Sequence, residues 1–393
     1  MNCKICNFKN KKNIISVNKI PISNFFEKKL NERKKINLKF FICDYCGFIQ
    51  NLKSFNFQVL LGNQNNIKQK EPEDHLDDIV AKIIKLKKLK KNSRIISLTY
   101  KDDSLLNRFK KKGFRKVSSF NFRDKFKNQK FEYLDNLIYK KDYSVSKTLQ
   151  SSNLIISRHF LEHNYSLKNF FSLVNELNKK TDESYILIEV PDTLKSLKNN
   201  DFSCIWEQHK VYFTQNSLEN CMNKFGYKKI FSNIKKYPYE NCIVFFGKKE
   251  KVIKKKFNHK KILFEKKLSR NFFYNLFTYK KKIYKFFSSI RSKKIALYGT
   301  GHQGIFFINF FNIKRFIDFS FDDNKNLQNK FLPGTKIKIL KPSKKLKKFD
   351  YIFLCANQKA EKKISKKNSY LLKNNGKFLS LSFNNKSGIR NYV

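Results

Sequence analysis

Two Cys-x-x-Cys pairs, Cys3/Cys6 and Cys43/Cys46, constrain the start of this chain more than any other feature. Four thiolates delivered as two short hooks are the ligand set of a tetrahedral Zn²⁺, and each hook turns two sulfurs towards one ion. Gly47, directly after the second hook, suits a tight knuckle. The loop from Asn7 to Ile42 is longer than in common zinc ribbons, so two unrelated thiol pairs are the competing reading. Neither pair opens a helix of a thioredoxin-like unit, which argues against a redox motif. With all four positions filled by protein, the zinc expected at Cys3, Cys6, Cys43 and Cys46 is structural and leaves no coordination site for chemistry.

At 393 residues the chain is long enough for two or three domains, each with its own core. Hydrophobic residues make up 40% of it, and 42 residues are Phe, so it reads as globular although 30% of residues are charged. Cys204, Cys221, Cys242 and Cys355 are scattered, as free thiols of a reducing compartment are. The start Met-Asn-Cys leaves no room for a signal peptide. Runs such as Tyr185–Val190 and Ile305–Phe311 fall short of the roughly 18 residues of a membrane helix. A cytoplasmic protein without membrane contact is expected. The formal charge of +54 raises a nucleic-acid role. The lysines, however, are spread among Asn, Ile and Phe along the whole chain, a blend typical of A/T-rich codons rather than of a binding stripe. Runs such as 254–256 and Lys344–Lys348 read as solvated faces. No specific nucleic-acid partner is expected, although the charge favours anionic ligands by steering.

Hydrophobic spacing predicts the organisation beyond the cysteines. The polar stretch 63–74, broken at Pro72, reads as a linker. Helices are predicted over His75–Lys90, Ser104–Lys112, Ser166–Asn178 and Ser217–Phe225, the last ended by Gly226. Strands are predicted at Arg94–Leu98, Lys116–Phe120, Asn153–Ser157 and Ser184–Val190, the last stopped by Pro191. Strands alternating with helices imply βαβ units and a mainly parallel sheet. A long amphipathic helix follows over Lys260–Ile290, with Leu263, Leu268, Phe272, Leu276, Ile283, Phe287 and Ile290 on one stripe, and reads as a connector packed on a neighbouring domain. A second α/β unit opens with a strand at Lys294–Tyr298 and a helix running through Phe310. Further strands are predicted at Phe316–Phe321, Tyr351–Cys355 and Lys377–Leu381.

The turn Gly299-Thr300-Gly301-His302-Gln303-Gly304 has a strand before it, a helix after it and Asp322/Asp323 roughly 20 residues on, the context of a dinucleotide fingerprint. A ligand-free turn that packs helix on strand is the plainer alternative. Asp102 and Asp103 follow the first strand of the middle region, where an open α/β sheet binds ligand. Arg158-His159-Phe160-Leu161-Glu162-His163 follows a later strand. Trp206-Glu207-Gln208-His209 lies in a loop downstream of Glu189-Val190-Pro191-Asp192, and a histidine there suits a general base near neutral pH. All three pieces fall where one cleft is built.

Taken in order, these segments resemble a family. Cys3-x-x-Cys6 followed by Cys43-Asp44-Tyr45-Cys46-Gly47-Phe48-Ile49-Gln50 resembles the zinc-binding N-terminal domain of bacterial sugar C-methyltransferases. Arg158–His163 and Glu189–Asp192 resemble late strand-end motifs of its methyltransferase domain. Trp206–Phe213 resembles its Tyr-His-Glu-His active-site loop. Tyr298–Gly304, with Asp322/Asp323 and Leu332-Pro333-Gly334-Thr335-Lys336-Ile337, resembles its C-terminal domain. The likeness covers nearly the full chain.

The resemblance implies an α/β architecture: a zinc module over 1–60, a class I S-adenosylmethionine-dependent methyltransferase domain over 61–250, a connecting helix over 251–291 and a C-terminal Rossmann-like domain over 292–393. It implies methyl transfer to a carbon of a nucleotide-activated keto sugar through a base-generated enolate, since a C–H beside a ketone is acidic enough for a positioned base. His209 aligns with the family's candidate base, with His163 the alternative and Gln208 beside it. Thr99, Asp102, Asp103 and Arg158 fall at the cofactor site, and Gly299, Gly301, Gly304 and Tyr212 at the substrate site. The chain departs from the family in two places. Its first cofactor motif reads Thr99-Tyr100-Lys101-Asp102-Asp103, without the usual two glycines, which narrows the pocket. In the active-site loop Trp206, Glu207 and Gln208 replace Tyr, His and Glu. Rival readings are a binding or scaffold protein with a degenerate cofactor site, an NAD(P)-linked enzyme using the Gly299–Gly304 turn, and a basic nucleic-acid-binding zinc protein. The sugar, the methylated carbon and the oligomeric state are not legible.

Overall fold

The computed structural model describes residues 2–9, 14–29, 35–52, 73–119, 151–179, 181, 183–237, 240–250, 257–356, 358–385 and 387–393. The expected linker over 63–72, the boundary near residue 60 and the lysine run 254–256 lie outside the described residues.

Among the described residues, three sheets organise the chain. The first contains β1 (Ile15–Ile20), β2 (Ile36–Ile42) and β3 (Ile49–Asn51). Strand β2 shows why this region is sheet: Ile36, Leu38 and Phe40 point inward while Asn37 and Lys39 point out, a period of two. The fourth strand comes from far downstream. β8 (Val211–Tyr212) pairs antiparallel with β3, Gln50 opposite Val211.

The second sheet has the order β5-β4-β6-β7-β10-β9. β4 (Ile95–Ser97), β5 (Val117–Ser119), β6 (Leu154–Arg158) and β7 (Tyr185–Pro191) run parallel. β9 (Tyr227–Lys235) and β10 (Cys242–Lys249) add an antiparallel hairpin at one edge. Spacing had not predicted that hairpin, and Pro191 ends β7 opposite Cys242 rather than stopping it one residue earlier. β6 and β7 are buried at every position, as strands covered on both faces are. The order reverses between β4 and β6, so their carboxyl ends frame the crevice where such sheets take ligand.

The third sheet is wholly parallel, in the order β13-β12-β11-β14-β15. Its strands are β11 (Ile295–Tyr298), β12 (Phe319–Phe321), β13 (Lys338–Leu340), β14 (Phe349–Leu354) and β15 (Leu372–Ser380). The strand expected from Phe316 begins at Phe319, because Lys314–Phe316 forms a 3₁₀ turn.

The connecting helix runs over His259–Ser289 and starts at an Asn258 cap, whose side chain accepts from the Lys261 N–H. Its buried stripe includes Ile262, Phe272, Phe273, Leu276, Ile283 and Phe287. Leu263, expected on that stripe, faces solvent, since its neighbour Ile262 takes the inward position. This helix seats the first sheet on the third: Val17, Leu38, Phe40, Phe273, Phe287, Leu297 and Phe353 share one apolar core. The cysteine hooks belong to a different core, shared with Phe160, Phe170, Phe213 and Phe245 of the middle domain. Among the described residues no helix is long and apolar enough to cross a membrane.

Candidate functional site

The two cysteine hooks meet. Cys3 Sγ lies 3.6 Å from Cys46 Sγ, and Cys6 Sγ lies 3.5 Å from Cys43 Sγ. All four sulfurs fall within 4.8 Å of one another, and none is in a disulfide. Each hook closes through a left-handed residue, Gly47 at φ 72° in the second and Asn7 at φ 59° in the first. The Gly47 N–H donates to the Cys43 carbonyl at 2.9 Å, and the Asn7 N–H to the Cys3 carbonyl at 3.0 Å. The sulfurs also receive N–H bonds from Ile5, Cys46 and the Gln50 amide, at 3.4, 3.4 and 3.2 Å. Such donors delocalise thiolate charge and orient ligands, so the donor set fits a tetrahedral zinc. The second hook docks on the long helix, with Lys266 donating to the Asp44 carbonyl.

At the carboxyl ends of β4 and β6 the residues expected to hold cofactor mostly hold each other. Asp102 is fully buried. It accepts from the Arg158 N–H at 3.0 Å on one oxygen, and from the Thr99 N–H and hydroxyl at 3.2 Å on the other. Burial pushes its carboxyl up to about 7, against the pull of Arg158 and the Thr99 bonds. Arg158, also fully buried, donates to the Lys101 carbonyl at 2.9 Å and to Glu189 at 2.7 Å. Lys101 in turn donates to the His159 carbonyl at 2.9 Å, so it spans the crevice. Asp103 points outward from the start of the following helix. Glu189 also receives His159 and His75, each at 3.1 Å. The adjacent guanidinium and these imidazoles hold its carboxyl well below the usual range despite burial.

Beside that crevice lies a cavity of about 290 Å³ between the middle domain and the helix that opens the third sheet. His163 and His209 both line it, with ring centroids 4.9 Å apart. His163 sits on the turn Leu161–His163 after β6, and its Nδ1–H donates to the Gln208 carbonyl at 3.2 Å. Burial, helped by the nearby His209 and Lys101, drives its imidazole well towards the neutral form. Trp206 stands between His209, at 5.0 Å, and His302, on which it stacks at 4.4 Å. The Tyr212 hydroxyl bonds both the N–H and the carbonyl of Trp206, at 3.3 and 3.2 Å, and so fixes the loop from behind. Glu207 turns away from the cavity to Ser23, whose hydroxyl and N–H donate to it at 2.6 and 2.9 Å. Ser23 also accepts from the Trp206 indole at 3.0 Å. Gln208 thus serves the site through its backbone carbonyl. Spacing gave no sign of Ser23, Asp201 or Glu240, and no role to Lys101 and His302 within their motifs, because each reaches the site from a separate element.

The glycine turn divides by role. Gly299 has φ 100°, and a Cβ there would lie 2.4 Å from the Cys355 carbonyl. Gly304 packs against Cys355 Sγ and Leu297, so both serve helix–strand contact. A Cβ on Gly301 would meet nothing within 4 Å, and the next residues, His302 and Gln303, line the cavity. Asp322 accepts from the Thr300 hydroxyl at 2.6 Å and N–H at 3.1 Å, which ties the turn to β12. The Leu332–Ile337 segment lies away from the cavity. Asn309 donates to the Pro333 carbonyl at 3.1 Å, and Phe331 bridges to Glu27 of the N-terminal region.

The second sheet, with its reversal between β4 and β6 and its antiparallel edge, makes the middle of the chain a class I methyltransferase-type Rossmann-like fold. Residues 251–381, the long helix and the third sheet, match the family described as the C-methyltransferase C-terminal domain. No curated protein matches the chain. Solved structures similar to it include a SAM-dependent methyltransferase from Archaeoglobus fulgidus, at 18% identity over 44% of this chain and 94% of that one, with TM-score 0.30. Magnesium protoporphyrin IX methyltransferase from Synechocystis is similar at 9% identity over 44% of this chain and 81% of its own, with TM-score 0.28. A Burkholderia thailandensis 1,6-didemethyltoxoflavin-N1-methyltransferase is similar at 10% identity over 45% and 77%, with TM-score 0.31.

Proposed function

We propose that the protein is an S-adenosylmethionine-dependent C-methyltransferase that acts on a nucleotide-activated keto sugar through an enolate. One observation carries this reading: the paired imidazoles of His163 and His209 face a cavity whose opposite wall, His302 and Gln303, belongs to the stretch that matches the C-methyltransferase C-terminal domain. His209 is the base. A neutral imidazole there takes the proton beside the ketone, and the Glu162 carboxylate close by favours the imidazolium that results. His163, held neutral with its Nδ1–H on the Gln208 carbonyl, positions His209 and does not compete for the proton. Trp206 and His302 wall the cavity and limit water. The open backbone at Gly301 receives the diphosphate end. S-adenosylmethionine, when bound, supplies the electrophilic methyl. Three carboxylates line the cavity, Glu162, Asp201 and Glu240, and suit its cationic end. Thr99, Asp102 and Arg158 support the crevice floor rather than touch the cofactor.

The test is solvent-deuterium exchange at the carbon beside the ketone, with a nucleotide-linked 4-keto sugar and no methyl donor. Wild type should exchange, and His209→Ala should lose about 10²–10⁴-fold of the rate. Undiminished exchange in His209→Ala with loss in His163→Ala would move the base to His163.

A second reading, a family member that binds without turnover, is favoured by the Lys101 span of the crevice. Lys101→Ala should tighten S-adenosylmethionine binding in calorimetry if that span obstructs the cofactor. Unchanged binding removes this reading's support.

A further inference from the structure

We propose that Glu162, His163 and His209 form a divalent-cation site for a zinc-class ion, separate from the four-cysteine site. Two imidazole nitrogens and one carboxylate oxygen come within 4.8 Å of one another. The Glu162 Oε1 to His163 Nε2 distance is 3.9 Å, a separation that one ion can bridge. The residues come from two elements: Glu162 and His163 from the turn after β6, His209 from the loop before β8. That loop is anchored independently through Tyr212 and Ser23, so the third ligand is placed without the ion.

The tautomer agrees. Because His163 Nδ1–H donates to the Gln208 carbonyl, Nε2 carries the lone pair. An imidazole whose other nitrogen donates to a backbone carbonyl is the usual outer-sphere arrangement of a metal-bound histidine. Charge agrees as well. In a chain of net charge +54, the cavity lining holds, among the described residues, three carboxylates and one lysine, Lys101. Two nitrogens and one oxygen select Zn²⁺ or Co²⁺ over Mg²⁺ and Ca²⁺, which prefer all-oxygen shells. Three protein ligands facing a cavity leave a position open to water or substrate, unlike the closed cysteine set. The other His-Glu-Cys group, His159, Glu189 and Cys242, lacks this character because the Arg158 guanidinium already holds Glu189 at 2.7 Å.

A consequence rests on the proposed function. An ion bound here takes the His209 lone pair, so occupancy and proton abstraction exclude one another, and the ion inhibits. The experiment titrates Co²⁺ into full-length protein whose cysteine site is already loaded with zinc. One further equivalent should bind, with weak visible bands and without the near-ultraviolet thiolate charge-transfer absorption of a cysteine site. His163→Ala and the isosteric Glu162→Gln should each weaken that binding by about 10–100-fold or more. Absence of a second equivalent in wild type, or wild-type binding in the isosteric variant, overturns the site. Deuterium exchange separates the two ideas. Exchange that persists while no cobalt binds removes the cation site and leaves the methyltransferase reading standing. Cobalt bound at full occupancy with exchange unchanged removes the exclusion.

Discussion

Glu189 lies in a strand buried along its whole length, and three side chains converge on it, Arg158 and His159 from the end of β6 and His75 from the cap of the helix Leu76–Lys85. A carboxylate there is tolerable only because Arg158 and two imidazoles replace water around it. Removing its charge leaves the buried Arg158 guanidinium without the carboxylate it is bonded to. Glu189→Gln should therefore cost about 3–5 kcal/mol in urea unfolding. A change under about 1 kcal/mol would mean that the guanidinium finds another partner. His163 and His209 were legible as candidates because histidines at a strand end and in a downstream loop are chemically conspicuous. Their supports were not. Ser23 and Glu207 are 184 residues apart in sequence, and nothing local announces that pair. The residues expected at the cofactor site were legible by position, whereas the bonds that Thr99, Asp102 and Arg158 make to one another are a relation that spacing cannot encode.

At the scale of elements, the two cysteine hooks were the most readable feature, since ligand spacing is local chemistry. The left-handed turn at Gly47 follows from its residue type, whereas the same turn at Asn7 does not stand out in sequence. Metal analysis should find one zinc fewer per chain in Cys43→Ser than in wild type, because three sulfurs hold zinc far less well than four. Equal zinc in both proteins would sink the assignment. Strands with continuous apolar runs, such as β6 and β7, were placed to within a residue or two. The β9/β10 hairpin escaped because its edge strand mixes lysines with apolar residues and is only half buried. The helix stripe was read correctly at Phe272, Leu276, Ile283 and Phe287, and failed at Leu263, where the first turn faces solvent.

At the scale of the whole molecule, His302 and Trp206 join the third sheet's opening helix to the Trp206–His209 loop. Burial pushes His302 down to about 4, below the ordinary 6.5 of an unfolded histidine. The unfolded chain therefore binds a proton more readily than the folded one between these values. Stability from this group is fully present above about pH 6.5 and is lost as pH falls towards about 4, on the order of 1–3 kcal/mol in all. His302→Phe keeps the stack and removes the titration. Its unfolding free energy should fall less steeply over that window, and an unchanged slope would assign the acid sensitivity elsewhere.

The borrowed strand has a consequence for the order in which the protein is made. The first sheet takes β8 as its fourth strand, and Val211 is synthesised 160 residues after Asn51. At about 5–20 residues per second, the ribosome needs roughly 8–30 s to deliver it. Until then the β3 edge and the Ser23 hydroxyl stand exposed on the nascent chain. The sheet that β1, β2 and β3 begin is thus completed only when 160 further residues have been translated.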